Sequence, residues 1–155
     1  MIEAGLVCDD LTTEVIADGR HLPTSLLKLA YKCKGAERLC LISDAMRASG
    51  LPEGVYEVCE MPVLVEDGVA VTMDRTSFAS SIITLDRAVQ HMVHTVGLPL
   101  PDVLRMASLT PAEVIGVQDR KGSLGAGKDA DIVILNREDL TVETVVIGGK
   151  QVTAA

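Results

Sequence analysis

Val15-Ile16-Ala17-Asp18-Gly19-Arg20-His21 and, further on, Leu41-Ile42-Ser43-Asp44-Ala45-Met46 share one pattern, an apolar strand-like run that ends in polar side chains. Parallel strands are buried on both faces and read as continuous apolar runs, and α/β enzymes place their catalytic groups just past the carboxyl ends of such strands. His21 and Asp44 are therefore the first candidates for chemistry. Between them, Thr24 to Cys33 carries Leu26, Leu27, Ala30 and Cys33 at helical spacing, with Lys34-Gly35 as a stop. The unit reads strand, helix, strand, and the fold class is α/β.

At 155 residues, with 48% apolar and 23% charged residues, the chain is long enough for one soluble domain with a core. It has no uncharged apolar run of about 18 residues, the length a membrane span needs. Its first residues lack a basic stretch followed by an apolar one, so neither a membrane span nor a signal peptide is expected and the expected location is the cytoplasm. A net charge of -8 without a Lys/Arg cluster excludes nucleic acid, whose binding rests on phosphate neutralisation. One Phe, two Tyr and no Trp leave little for base stacking. Cys8, Cys33, Cys40 and Cys59 lack C-x-x-C spacing and are expected as buried, reduced thiols that act as small hydrophobes, the alternatives being a zinc site or a disulfide framework.

Past Asp44, Gly50 to Gly54 is a loop. Val55 to Met73 alternates around Glu66-Asp67-Gly68 and reads as a β-hairpin. Ile82, Leu85, Val89, Met92, Val93 and Val96 recur at helical steps and define one amphipathic helix over 82–96. A short helix runs from Pro101 to about Ser108. Thr110-Pro111-Ala112-Glu113 then looks like a capping box, with Thr110 as N-cap and Gly116 as the stop. After the turn-rich Gly122 to Gly127, Asp131 to Leu135, Val142 to Ile147 and Gln151 to Thr153 read as strands. The chain thus divides into an α/β portion, 1–118, and a β portion, 119–155.

A carboxylate at a strand end, such as Asp44, serves as a metal ligand or as a general base. An N-cap before Ala45-Met46-Arg47 is the equally open structural alternative. His21 follows Asp18-Gly19, a bend that brings backbone N–H groups near a ligand, and its imidazole suits a phosphate or a carbonyl; the alternative is an ordinary surface histidine. His91 and His94 are expected on the solvated face of the 82–96 helix. Phe78-Ala79-Ser80-Ser81, ahead of that helix, suits an anion or a sugar hydroxyl, or simply caps the helix.

Thr110-Pro-Ala-Glu-Val-Ile-Gly116 with Lys121-Gly-Ser-Leu-Gly-Ala-Gly-Lys-Asp-Ala-Asp131-Ile-Val-Ile-Leu135 resembles the carboxyl-terminal signature of the metal-dependent amidohydrolase superfamily. Glu14 to His21, Ile42 to Met46, Gly50 to Tyr56 and Ala79-Ser80-Ser81 before Thr84 to Val89 follow in the order seen in the N-acetylglucosamine-6-phosphate deacetylases, and the chain is similar to that family over nearly its whole length. The resemblance implies the carboxyl-terminal part of a (β/α)8 barrel, with a hairpin insertion near 55–73, plus part of a small β-sandwich. It implies that Asp44 is catalytic, activating a metal-bound water and protonating the departing amine. It also implies that Asp18, Gly19, Arg20 and His21, with Ala79, Ser80 and Ser81, touch an amino-sugar phosphate. Where this chain has Ser80 the family usually has Gly. The family's metal-binding Glu and His residues have no match here, so a divalent metal such as zinc is expected in the intact enzyme and none in this chain, with Asp44 the single candidate ligand. The expected partners are the missing amino-terminal half or further copies of the chain, and the chain alone is expected to be inactive. Another amidohydrolase, or a non-catalytic stand-alone fragment, remain the alternatives.

Overall fold

The computed structural model describes residues 2–152; Met1, Thr153, which ends the last expected strand, and the two residues after it lie outside the described residues. A short helix α1 (Ile2–Val7) precedes β1 (Thr13–Ile16), the crossover helix α2 (Thr24–Lys34) and β2 (Leu39–Ile42). β1 and β2 pair in parallel, with Thr13 opposite Leu39 and Ile16 opposite Ile42, as the two apolar runs require. On α2 the inward positions are Leu27, Ala30 and Lys34, whereas Cys33 is exposed. A buried ammonium needs a partner, and the Lys34 Nζ donates to the Cys8 carbonyl at 2.6 Å. Cys8 and Cys59 are also exposed, so only Cys40 is the buried thiol expected of all four; its burial, and the Glu14 charge nearby, push its pKa up.

Past β2 the chain makes one further parallel contact. The Met46 N–H donates to the Ser81 carbonyl at 2.9 Å, and the Ser81 N–H donates to the Asp44 carbonyl at 3.2 Å. Between these two segments stands a four-stranded antiparallel sheet, β3 (Gly54–Val58), β4 (Met61–Glu66), β5 (Val69–Thr72) and β6 (Phe78–Ser80). The Asp67-Gly68 turn lies where the sequence puts it, with φ of 50° and 77°. The insertion is larger than one hairpin because Cys59-Glu60 forms a second turn, with φ of 48° and 65° and no glycine to announce it.

The expected 82–96 helix starts later and changes pitch. α3 (Leu85–Gln90) passes into a π-helical turn, His91–Thr95, in which the Val96 N–H reaches back to the His91 carbonyl at 3.0 Å. α4 (Leu100–Ala107) runs directly into α5 (Leu109–Val114), so Thr110 lies inside a helix and not at its cap. Its buried hydroxyl instead donates to the Ala36 carbonyl at 2.6 Å, tying α5 to the loop before β2. Gly122 has φ of 81°, and a Cβ there would stand 2.8 Å from Ala112 Cβ, which is why the connection after α5 needs glycine to lie this close. The chain ends in an antiparallel sheet, β7 (Ile132–Leu135), β8 (Val142–Ile147) and β9 (Lys150–Val152), with Gly148-Gly149 as the last turn.

The main core joins Val15, Ala17, Leu27, Leu39 and Leu41 to Val89, Met92, Val96, Val103 and Met106. Burying each of the larger side chains fully contributes about 1.5–3 kcal/mol, which fixes the parallel pair against α2, α3 and α4. Met46, Ala48, Val63, Val65 and Ala70 form a second cluster, which fastens the inserted sheet to the segment after Asp44.

Candidate active site

Because β1 and β2 are parallel neighbours, the turn Asp18 to His21 and the residue Asp44 leave the pair at the same edge, and Ser80-Ser81 is hydrogen-bonded to it. Asp18 organises the turn. Its Oδ1 accepts the Arg20 and His21 backbone N–H groups, both at 2.9 Å, and its Oδ2 stands 2.7 Å from His21 Nδ1. Burial alone would raise the Asp18 pKa, but the two backbone N–H groups and the His21 ring outweigh it and hold the carboxyl below its ordinary 3.8. An ionised carboxylate only accepts, so Nδ1 of His21 carries the proton and Nε2 is left for a ligand.

The His21 ring packs on Phe78, with centroids 4.6 Å apart, which brings β6 and its Ala79-Ser80 end to the histidine. The Arg20 guanidinium donates to the Asp67 carbonyl at 3.0 Å, at the tip of the inserted hairpin. Gly19 has φ of 73° and abuts the His91 ring; a Cβ would stand 2.9 Å from His91 Cε1. His91 is thus not on a solvated face: its Nε2 is buried without a hydrogen-bond partner among the described residues, while His94 is exposed as expected. Neither this contact nor the Phe78 stacking has a sequence signal beyond helical spacing and strand alternation.

Asp44 is exposed, and no helix begins there, so the N-cap alternative falls. It has φ of 47°, a left-handed conformation that asparagine and aspartate adopt more readily than other residues with a Cβ. The Ser80 hydroxyl, expected to face substrate, donates to the Asp44 carbonyl at 2.8 Å. Ser81 is fully buried and its Oγ accepts the Ile83 N–H at 3.0 Å. Among the described residues no three His, Cys, Asp or Glu side chains converge to hold a metal ion, so the set present does not fit one.

An α/β chain with an aspartate and a clamped histidine at the carboxyl ends of parallel strands fits one class of hydrolases, and residues 6–152 match the model of the amidohydrolase family. The chain belongs to that family. It is 38% identical over 148 residues to the N-acetylglucosamine-6-phosphate deacetylase of Bacillus subtilis, covering 96% of this chain and 37% of the relative. It is equally 38% identical to the N-acetylgalactosamine-6-phosphate deacetylase of Escherichia coli O157:H7, with 97% and 39% covered. A further relative, from Escherichia coli K12, is 38% identical and covered over 88% of its own length. Among solved structures, the N-acetylglucosamine-6-phosphate deacetylase of Pasteurella multocida superposes with a TM-score of 0.92 at 31% identity, over 99% of this chain and 39% of that one. A mutant of the Mycobacterium smegmatis enzyme, in complex with N-acetyl-D-glucosamine-6-phosphate, gives 0.87 at 34%, over 96% and 39%. The chain therefore spans about 37% of the length of the Bacillus subtilis relative.

Proposed function

We propose that these residues form the carboxyl-terminal part of an N-acetylglucosamine-6-phosphate deacetylase, which hydrolyses the acetamide to glucosamine 6-phosphate and acetate. The observation that carries the reading is the convergence of Asp44, His21 and Ala79 to Ser81 at one edge of the parallel pair. In this reading residues 1–118 contribute the last strands and helices of a (β/α)8 barrel and 119–155 contribute part of a β-sandwich. The family's divalent metal finds no ligand set among the described residues.

The chemistry of this chain's own residues is proton transfer and substrate holding. The Asp44 carboxylate takes a proton from the water whose oxygen attacks the acetamide carbon. As the carbon–nitrogen bond breaks, Asp44 returns that proton to the departing amine, and acetate and the free amino sugar leave. His21, its Nδ1–H held by Asp18, presents Nε2 to the amino-sugar phosphate as the acceptor of a sugar hydroxyl, and the Gly19 bend lets the backbone approach the same ligand.

The test is steady-state kinetics of the full-length protein on N-acetylglucosamine 6-phosphate, with the N-acetylgalactosamine epimer as the second substrate because a relative at the same identity bears that name. Asp44→Asn keeps the shape and loses the base, so kcat is expected to fall by at least about 10²–10⁴-fold. His21→Ala is expected to raise KM chiefly, with metal content unchanged. Near-normal kcat in Asp44→Asn, or loss of metal in His21→Ala, would overturn the roles; a kcat/KM preference for the other epimer would change the substrate.

A further inference from the structure

Ser80 carries an inference that rests on the role given to Asp44 above. A φ of 47° crowds the Cβ of Asp44 against the backbone, so contacts that fix the adjoining peptide help to hold it. At Asp44 the carbonyl is fixed by the Ser81 N–H at 3.2 Å and by the Ser80 hydroxyl at 2.8 Å. The first of these is anchored in the fold. Ser81 is fully buried, its Oγ holds the Ile83 N–H, and its carbonyl holds the Met46 N–H. The second is the shorter bond, and it comes from a side chain.

We propose that Ser80 is a positioning residue, whose hydroxyl clamps the Asp44 carbonyl and so holds the left-handed turn that aims the Asp44 carboxylate at the reacting amide. With β2 fixed on one side of its Cα and the carbonyl clamped on the other, φ of Asp44 is held, and φ decides where its Cβ points from the strand end and so the reach of the carboxylate. Without the hydroxyl only the longer Ser81 bond remains, and Asp44 is freer to relax toward negative φ. The bond lies near solvent, where water competes for both partners, so the effect on rate is several-fold and not total.

The experiment compares Ser80→Ala, Ser80→Gly and Ser80→Thr with the parent in the full-length protein, by kinetics and by exchange at the Met46 and Ser81 amides, which are hydrogen-bonded across this contact. Ala and Gly are expected to lower kcat about three- to tenfold, with KM within about twofold, and to speed exchange at both amides. Thr keeps the hydroxyl and is expected to recover at least half of the lost kcat. An unchanged kcat in Ser80→Gly overturns the proposal, as does a rise in KM at constant kcat, the signature of a direct sugar contact. Should the parent turn over neither epimer, the deacetylase reading fails. The exchange data then decide the clamp alone, and unaltered exchange at Met46 and Ser81 in Ser80→Ala overturns it.

Discussion

Asp18 and Gly19 show how single residues set the candidate site. The Asp18 carboxyl accepts from two backbone N–H groups and the His21 ring more strongly when ionised, and its pKa in the fold lies below the ordinary 3.8. A carboxyl depressed on folding adds stability that is present above its unfolded value and disappears as pH falls through the folded one. The turn is thus expected to hold at and above about pH 5 and to loosen in acid below 3.8, read as shifts of the Arg20 and His21 amide resonances with pH. Asp18→Asn should remove that acid transition; its persistence would mean another group titrates. Gly19 is constrained twice, by φ of 73° and by the His91 ring 2.9 Å from where a Cβ would lie, whereas Gly116 has φ of 71° and nothing within 4 Å. At so similar a φ, Gly19→Ala and Gly116→Ala each carry backbone strain of about 1 kcal/mol, so the larger loss in urea unfolding is expected at Gly19, by about a further 1 kcal/mol. Equal losses would show that His91 moves aside freely.

Among the elements, the β4–β5 tip of the inserted sheet is tied to the site by the Arg20 guanidinium, which grips the Asp67 carbonyl. The contact is exposed, and a net hydrogen bond of this kind is worth about 0.5–1.5 kcal/mol, so Arg20→Ala is expected to speed amide exchange at Gly68 and Val69 by about two- to tenfold without unfolding β4 and β5. Unchanged exchange there would remove Arg20 as the tie. The Asp67-Gly68 turn is legible in the sequence because its positive φ values select those residue types. The Cys59-Glu60 turn demands the same backbone from residues that give no signal, so the sheet beyond one hairpin is not legible. The paired ends of β1 and β2 are legible for a similar reason: a strand buried on both faces must be a continuous apolar run, and the first polar residue marks its end. Three features could not be read this way. The Thr110 hydroxyl on Ala36 and the inward turn of Lys34 each depend on a partner far off in the chain, and the pitch change at His91 leaves the apolar spacing of the helix unmarked. Local periodicity fixes the face of a helix, and those partners decide which polar group lies on it.

For the whole molecule, the described residues leave apolar surface that one chain of this extent does not cover. Among the described residues β1 and β2 pair as strands only with each other, and the β7–β9 sheet exposes Val133, Val142, Ile147 and Val152. Unpaired strand edges and contiguous apolar faces favour association, while the net charge of -8 opposes it between like chains. Apolar burial is non-directional and survives salt, and like-charge repulsion is screened over about 8–10 Å at 0.1–0.15 M. A chain of these 155 residues is therefore expected to self-associate, more so as salt rises, or to be captured by the remainder of a deacetylase of this family when the two are mixed. Light scattering across a wide concentration range, at low and at moderate salt, tests the first outcome, and co-elution with a purified amino-terminal portion tests the second. A monodisperse monomer under all of these conditions, unfolding in one cooperative step and ignoring the companion portion, would mean that the exposed strands are satisfied within the chain.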